Sequence, residues 1–314
     1  MASSDGRKRG DRRMMIRSCL LGARCFSWIV IAIALTTALL RADDAATIRA
    51  MDESHAEEPR RAAFVGAMQS MAAGLKVVRL TDAGETECKM IEDPVLNWSD
   101  SARHPNLIVP GTTWIWHDKG RPVFIGEIYG RKDSVGAWSL FACNLSPDHL
   151  RFGDGRMKTT LTKSYYEPKE IADSPVVAKT KSERTFQMRH LADRFDAHQF
   201  WEERFELRLL PKPIYRYEDA DGGLMDGAVY ALVHGTNPEV LLLIEAHATD
   251  DGTARWKVGF GSLAGAHCVV RLDGKEYWTC PKYTGDPADP RQGFAKFVPV
   301  ADLQSAPDGP PSRK

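Results

Sequence analysis

Two stretches of this chain, residues 86–157 and 205–276, carry similar features in the same order about 119 residues apart, which is typical of a repeated structural unit. This repeat constrains the fold more than any single motif does, because one architecture has to accept both segments. No individual match is specific, and the shared order carries the inference. The matching pairs are Glu87 and Glu206, Trp98 and Tyr217, Gly111 and Gly227, Glu127 and Glu245, Trp138 and Trp256, His149 and His267, and Asp154 and Asp273.

A helical pattern precedes each stretch. Apolar residues three and four positions apart share one face of a helix, and such a series follows Pro59 at Phe64, Met68, Met71 and Leu75. The second copy follows the same steps less cleanly, at Met188, Leu191, Phe195 and Gln199. Thr180 with Glu183 three residues later predicts a capping box ahead of this second helix.

Strand patterns come after each helical pattern. Residues 205–209 alternate between apolar and charged side chains, as in a strand with one buried face. The continuously apolar run Val240–Ile244 predicts a central strand buried on both faces, although periodicity alone also allows a helix. Asp118–Gly120 and Asp273–Gly274 supply turns between strands.

These patterns predict the fold class α+β, as a tandem duplication of a helix plus a curved antiparallel sheet. The helix of each unit or the sister sheet must cover the apolar face of the sheet. The alternative is an all-β sandwich with peripheral helices. We expect the two units at residues 60–168 and 184–300, joined by a linker at 169–183, with a polar linker at 43–59 and a disordered tail at 301–314.

The beginning of the chain predicts export. Phe26–Leu40 is an uncharged apolar run behind a basic segment and ahead of Asp43, so residues 1–42 are expected to be a signal peptide or signal anchor. The run is short for a stable membrane span, which needs about 20 residues. The sequence therefore predicts a periplasmic or cell-envelope protein that is either cleaved near Asp43 or membrane-anchored by residues 26–40.

Charge and cysteine usage narrow the classes of partner and cofactor. Residues 1–42 hold eight basic and two acidic side chains, which leaves the remainder with a net charge of −6 and no electrostatic case for nucleic-acid binding. No CxxC motif is present, so we expect no metal site and no cofactor. In an oxidising compartment Cys268 and Cys280 are candidates for a disulfide across the Asp273–Gly274 turn, with a bulge to absorb an offset of one residue.

Three segments resemble an uncharacterised family of exported proteins of planctomycete bacteria: residues 184–197, 207–218 and 226–246. Gly120–Pro122 and Asn144–Ser146 are similar to the first half of that family, and the resemblance covers most of residues 60–280. The chain departs from the family pattern at Trp138–Cys143, where relatives often carry an acid and histidines. The resemblance implies export and a shared fold, and it implies no activity.

Candidate catalytic residues are few. No GxSxG, glycine-rich phosphate loop or HExxH motif occurs. Glu245 and His247 are two residues apart at the end of the apolar strand, where they would face the same side and could act as an acid–base pair, with His267 as a further candidate. More often such residues are surface groups or charges at the end of a strand.

Aromatic side chains are the candidates for a binding groove. Trp114, Trp116, Trp138, Tyr217 and Trp256 could line a groove for sugars or peptides, whereas core packing is the commoner role of such residues. The sequence therefore favours an exported, non-enzymatic binding or envelope-associated module, whose partner is an envelope polymer or another exported protein. The alternative is an envelope-polymer hydrolase that uses a Glu/His pair.

Overall fold

The computed structural model describes residues 65–99, 108–131, 137–155, 158–219, 222–286 and 288–297. The predicted signal segment at 1–42, the polar linker at 43–59 and the tail at 301–314 lie outside the described residues. Within the described residues, no helix is both long and apolar enough to cross a membrane.

The described residues form two helices and nineteen strands. Helix α1 covers residues 65–73 and α2 covers Lys181–Ala192. The strands are β1 (Lys76–Thr81), β2 (Gly84–Glu87), β3 (Lys89–Met90), β4 (Leu96–Trp98), β5 (Ile108–Asp118), β6 (Arg121–Arg131), β7 (Ala137–Asn144), β8 (His149–Gly153), β9 (Lys158–Leu161), β10 (Lys169–Glu170), β11 (Phe195–Phe200), β12 (Arg204–Leu209), β13 (Tyr215–Asp219), β14 (Leu224–His234), β15 (Asn237–Ala248), β16 (Ala254–Ser262), β17 (His267–Leu272), β18 (Lys275–Cys280) and β19 (Arg291–Phe297).

The predicted α+β class, with its tandem helix-plus-sheet units, is wrong. The structure is mostly β, with a curled antiparallel sheet, and is closer to the all-β alternative. The helical patterns suggested a larger helical content than the protein has. Helix α2 has only 12 residues, whereas the largest sheet contains nine strands. Helices this short and this few cannot form a layer of their own, so each only covers part of a sheet.

The strands form three antiparallel sheets in the described part of the chain. The first has four strands in the order β2-β1-β8-β9, and the second has six, in the order β19-β7-β6-β5-β3 with β4 also paired to β5. The third has nine, in the order β10-β16-β15-β14-β12-β11-β17-β18 with β13 also paired to β14. The late strand β19 thus completes a sheet made mainly from the first half of the chain.

Each helix packs on one face of a sheet and contributes to a hydrophobic cluster. Met68 and Ala72 of α1 are fully buried among the tryptophans of β5 and the phenylalanines of β6 and β8. Met188 and Leu191 of α2 are buried against alternate residues of β14, β15 and β16. Each helix thus protects an apolar face of the sheet beneath it from water.

The opposite faces of the two larger sheets meet in a third cluster. Ile115 and Ile125 of the six-stranded sheet pack there with Val229, Leu241 and Leu243 of the nine-stranded sheet. Residues of β15 therefore alternate between the cluster around α2 and the cluster between the sheets. The prediction that Val240–Ile244 is a strand buried on both faces is confirmed.

Several local predictions are also confirmed. The side chain of Thr180 accepts a hydrogen bond from the backbone N–H of Glu183 at 3.2 Å, as the N-cap of α2. Asp273 and Gly274 have φ angles of 51° and 78°, which fits the tight turn between β17 and β18. The predicted second helix is too long, because Phe195 and Gln199 belong to β11.

Candidate functional site

The predicted pair Glu245 and His247 lies at the centre of a polar cluster between the two larger sheets. The carboxylate of Glu245 on β15 is completely buried. His247 Nε2 lies 2.8 Å from Oε2 of Glu245, and the hydroxyl of Tyr217 on β13 donates to Oε1 at 2.8 Å. Arg121 Nη2 on β6 lies 3.2 Å from the same Oε1, and the hydroxyl of Tyr166 donates to Oε2. These five residues are called the Glu245 cluster below.

Two glycines make room for the tyrosines of the Glu245 cluster. A Cβ atom on Gly259 of β16 would lie 2.5 Å from the ring of Tyr166, and one on Gly227 of β14 would lie 2.7 Å from the ring of Tyr217. Both distances are far shorter than a van der Waals contact. The tyrosine rings therefore lie directly on the sheet because glycine is present beneath each of them.

A related arrangement occurs in the first half of the chain. Trp98 pairs with Gly111, and a Cβ atom on that glycine would lie 2.4 Å from the tryptophan ring. Tyr217 pairs with Gly227 in the same way. The two aromatic–glycine contacts therefore lie at positions matched in the predicted repeat.

The charges of the Glu245 cluster stabilise one another. Burial favours the protonated carboxyl of Glu245, but the hydrogen bond with His247, the charge of Arg121 and the hydrogen bond from Tyr166 outweigh it, so the pKa of Glu245 is lowered. Burial, followed by the Glu245 charge, raises the pKa of both Tyr166 and Tyr217. The cluster therefore holds an ionised carboxylate between an arginine and two neutral tyrosines that donate to it.

This geometry suits a structural junction better than acid–base chemistry. A general acid at neutral pH needs a raised carboxyl pKa, whereas the pKa of Glu245 is lowered. The carboxylate is fully buried, while the side chains of Arg121 and His247 keep 22% and 14% exposure at the edge of the cluster. Glu127, the residue matched with Glu245 in the predicted repeat, is likewise buried, at 3% exposure.

The third catalytic candidate lies elsewhere. His267 is on β17, where its ring is stacked on Phe200 of β11 with 5.9 Å between the centroids. Asp226, another acid near the apolar strand, is completely buried and is held by Arg184 at 2.9 Å and by Arg216 at 2.6 Å. That ion cluster attaches the start of α2 to the sheet, because Arg216 also donates to the backbone oxygen of Lys181.

The aromatic side chains predicted to line a groove are buried wherever the structure describes them. The side chains of Trp114, Trp116 and Trp256 are at most 1% exposed and pack around the two helices. Tyr217 is 5% exposed and belongs to the Glu245 cluster, and the side chain of Trp138 lies outside the described residues. The sheets bury these rings because both faces of their central strands are covered, one by a helix and the other by the sister sheet.

A different pair of aromatic residues reaches solvent at the end of β11. Phe200 is 38% exposed and Trp201 is 42% exposed, and both follow the buried segment of that strand. A Cβ atom on Gly265 would lie 3.2 Å from the ring of Trp201, so this ring packs closely on the glycine. The ammonium of Lys282 lies 5.5 Å from the centroid of the Trp201 ring. Phe200 and Trp201, with His267 and Lys282 beside them, are called the aromatic platform below.

The sequence contained only a weak signal for this platform. Phe200 and Trp201 come next to Glu202 and Glu203, so the segment reads as a polar turn that contains two large apolar residues. Neither residue has a counterpart among the aromatic pairs of the repeat. Exposed large side chains that are fixed by neighbours are nevertheless characteristic of interaction sites.

Two further features bear on the candidate sites. No group of histidine, cysteine and acidic side chains suited to a metal ion occurs among the described residues.

The outer face of the four-stranded sheet forms an open hollow of about 500 Å³. Its acidic side chains already form ion pairs, Glu87 with Lys76 at 2.7 Å and Glu85 with Arg151. The hollow is therefore a solvated, charged surface.

The comparisons with known proteins give no relative from which a role could be transferred. No protein-family model, no curated protein and no solved structure matches this chain.

Proposed function

We propose that this protein is an exported, non-enzymatic module that binds a polysaccharide of the cell envelope through the aromatic platform. The observation that carries the proposal is the exposure of two aromatic residues that are consecutive in sequence, Phe200 and Trp201, at one end of β11. Export is the expectation from the apolar segment at residues 26–40, and it places the platform in contact with envelope polymers.

The chemistry of the platform fits a carbohydrate. The face of an aromatic ring carries partial negative charge, and the C–H face of a pyranose ring carries partial positive charge, so the two stack favourably. The contacts of Trp201 with Gly265 and Lys282 hold its ring in place, which reduces the entropy lost when a ligand binds. His267 and Lys282 supply hydrogen-bonding groups at the edge of the platform for sugar hydroxyls.

The interior of the protein supports a binding role over catalysis. The carboxylate of Glu245 is buried, ionised and already bound by four side chains. A hydrolase of glycosidic bonds usually needs two carboxyl groups on either side of the bond, one of them with a raised pKa. Glu245 has neither the exposure nor the pKa for that role.

A sedimentation assay tests the proposal. The protein is mixed with insoluble polysaccharides, namely cellulose, chitin and purified cell-wall sacculi, and the bound fraction is measured as a function of polymer concentration. We expect saturable binding to at least one polymer. Retention on none of them would contradict a polysaccharide-binding module.

Two matched variants test the platform itself. Trp201→Ala should weaken binding about tenfold or more, since an aromatic contact is worth roughly 0.5–1.5 kcal/mol beyond its buried area, and 1.4 kcal/mol corresponds to a factor of ten. Phe186→Ala is the control, because Phe186 is also an exposed aromatic residue, at 74%, but lies on α2. Equal binding by the wild type and the Trp201 variant, or equal losses in both variants, would show that the polymer binds elsewhere.

A further inference from the structure

The structure contains a pair of cysteines directly opposite each other that the proposed function does not use. Cys268 on β17 and Cys280 on β18 are partners in the antiparallel register. A register shift between Val270 and Arg271 brings them into line, as the sequence predicted. Both side chains are completely buried, and neither forms a disulfide in this structure.

The register satisfies the geometric requirement for a bridge. Residues directly opposite in an antiparallel pair have Cα atoms about 4.5–5.5 Å apart, which falls within the range of about 4.4–6.8 Å found in disulfides. Opposite residues also direct their side chains to the same face of the sheet. Both cysteines belong to the hydrophobic cluster around α2, which is consistent with a shared face.

We infer that Cys268 and Cys280 are a covalent modification site, at which a cross-strand disulfide forms when the protein folds in an oxidising compartment. The inference needs export of the chain, but it does not depend on polysaccharide binding. The bridge would join the second residue of β17 to the last residue of β18, which lies two positions before Lys282 of the aromatic platform. It would therefore fix the spacing of the strand ends that carry His267 and Lys282.

The oxidation takes place by exchange with a disulfide of an exported thiol oxidoreductase. One cysteine thiolate attacks that disulfide and forms a mixed disulfide, and the second thiolate then displaces the oxidoreductase. The Sγ–Sγ bond of Cys268 and Cys280 forms, the disulfide of the oxidoreductase breaks, and the two thiol protons pass to its reduced cysteines. Because both cysteines are fully buried in the folded protein, the exchange precedes the closing of the sheet around them.

A third buried thiol provides an internal competitor. Burial, and to a smaller extent the thiol of Cys280, raises the pKa of Cys143 on β7 to about 12. However, Cys143 is on a different sheet and is not a register partner of Cys280. The register therefore favours Cys268 over Cys143 as the partner.

Peptide mapping of the full chain, produced by an exporting host and alkylated before digestion, tests the inference. Trypsin places the four cysteines of the described residues in separate peptides, covering residues 80–89, 133–151, 258–271 and 276–282. We expect one linked species under non-reducing conditions, composed of peptides 258–271 and 276–282. A link between 133–151 and 276–282, or complete alkylation of peptide 276–282, would overturn the inference.

A second measurement compares the effect of a reductant on thermal unfolding of the wild type and of two cysteine variants. Wild-type protein is unfolded by heat with and without a reductant, and the midpoint should fall on reduction because the bridge restricts the unfolded chain. In Cys280→Ser the reductant should have no effect on the midpoint, whereas in Cys143→Ser it should lower the midpoint as in the wild type. An unchanged wild-type midpoint, or loss of the reductant effect in Cys143→Ser, would contradict the assigned pair.

Discussion

Replacement of Glu245 by glutamine should show how strongly the Glu245 cluster joins the two larger sheets. The substitution preserves the shape of the side chain but removes the charge that faces Arg121, and it turns one acceptor into an NH2 group that faces donors. Removing one partner of a buried ion pair costs about 3–5 kcal/mol. Because the Arg121 side chain retains 22% exposure, water stabilises part of its charge, and we expect a loss of about 2–4 kcal/mol.

Urea unfolding at neutral pH measures this loss. With a denaturant slope of about 3 kcal/mol per molar for a protein of this size, the urea concentration at the unfolding midpoint should fall by about 1 M. The slope itself should not change. Glu87→Gln is the matched control, because Glu87 and Lys76 form an ion pair whose side chains are 63% and 64% exposed. The control should change the unfolding free energy by less than about 0.5 kcal/mol.

A double-mutant cycle separates the Arg121 contact from the other contacts of Glu245. Arg121→Met and Glu245→Gln together should cost less than the sum of the two single losses, by about 1–2 kcal/mol, since the contact can be lost only once. If Glu245→Gln destabilises the protein no more than Glu87→Gln does, the carboxylate does not hold the sheets together. Strict additivity in the cycle would likewise refute the role given to Arg121.

Three further predictions concern pH, packing and the second ion cluster. The pKa of Glu245 is lowered from its ordinary value of 4.5, so the ionised carboxylate stabilises the protein above that pH. This stabilisation is lost as the pH falls through the folded-state pKa. The thermal midpoint of the wild type should therefore decline more steeply than that of Glu245→Gln between pH 7 and about pH 3. Gly259→Ala should destabilise the protein, since the new Cβ atom would lie 2.5 Å from the ring of Tyr166, whereas Gly66→Ala in α1 meets nothing within 4 Å and should be neutral or stabilising in the same urea assay. Asp226→Asn should cost about 2–4 kcal/mol by leaving its two arginines without a counter-charge, and a loss below about 1 kcal/mol in urea would contradict that ion cluster.

The failure of the predicted fold class has an identifiable cause. The helical periodicity of residues 188–199 continues past the end of α2, and the sequence offers no stop signal such as glycine at Asp193. Pairing with β12 and β17 turns Phe195–Phe200 into a strand instead. The balance between helix and strand in this segment was therefore set by neighbours that come later in the chain.

The burial of the candidate groove residues has a related reason. The sequence left two roles open for Trp114 and Trp256, a binding groove and core packing. In this protein a helix covers one face and the sister sheet covers the other, so these rings are core residues. The rings that reach solvent lie where the strand ends, since Phe200 is the last paired residue of β11 and Trp201 follows it.

The sequence by itself determined features whose causes are local: the cap at Thr180, the turn at Asp273–Gly274 and the buried run Val240–Ile244. Each depends mostly on residues within a few positions of one another, so the local pattern contains most of the cause. Only the tertiary structure decided that Glu245 meets Arg121, 124 residues earlier in the chain. Burial and ion pairing depend on which sheet faces meet, and that is settled by packing across the whole chain rather than by any local pattern of residues.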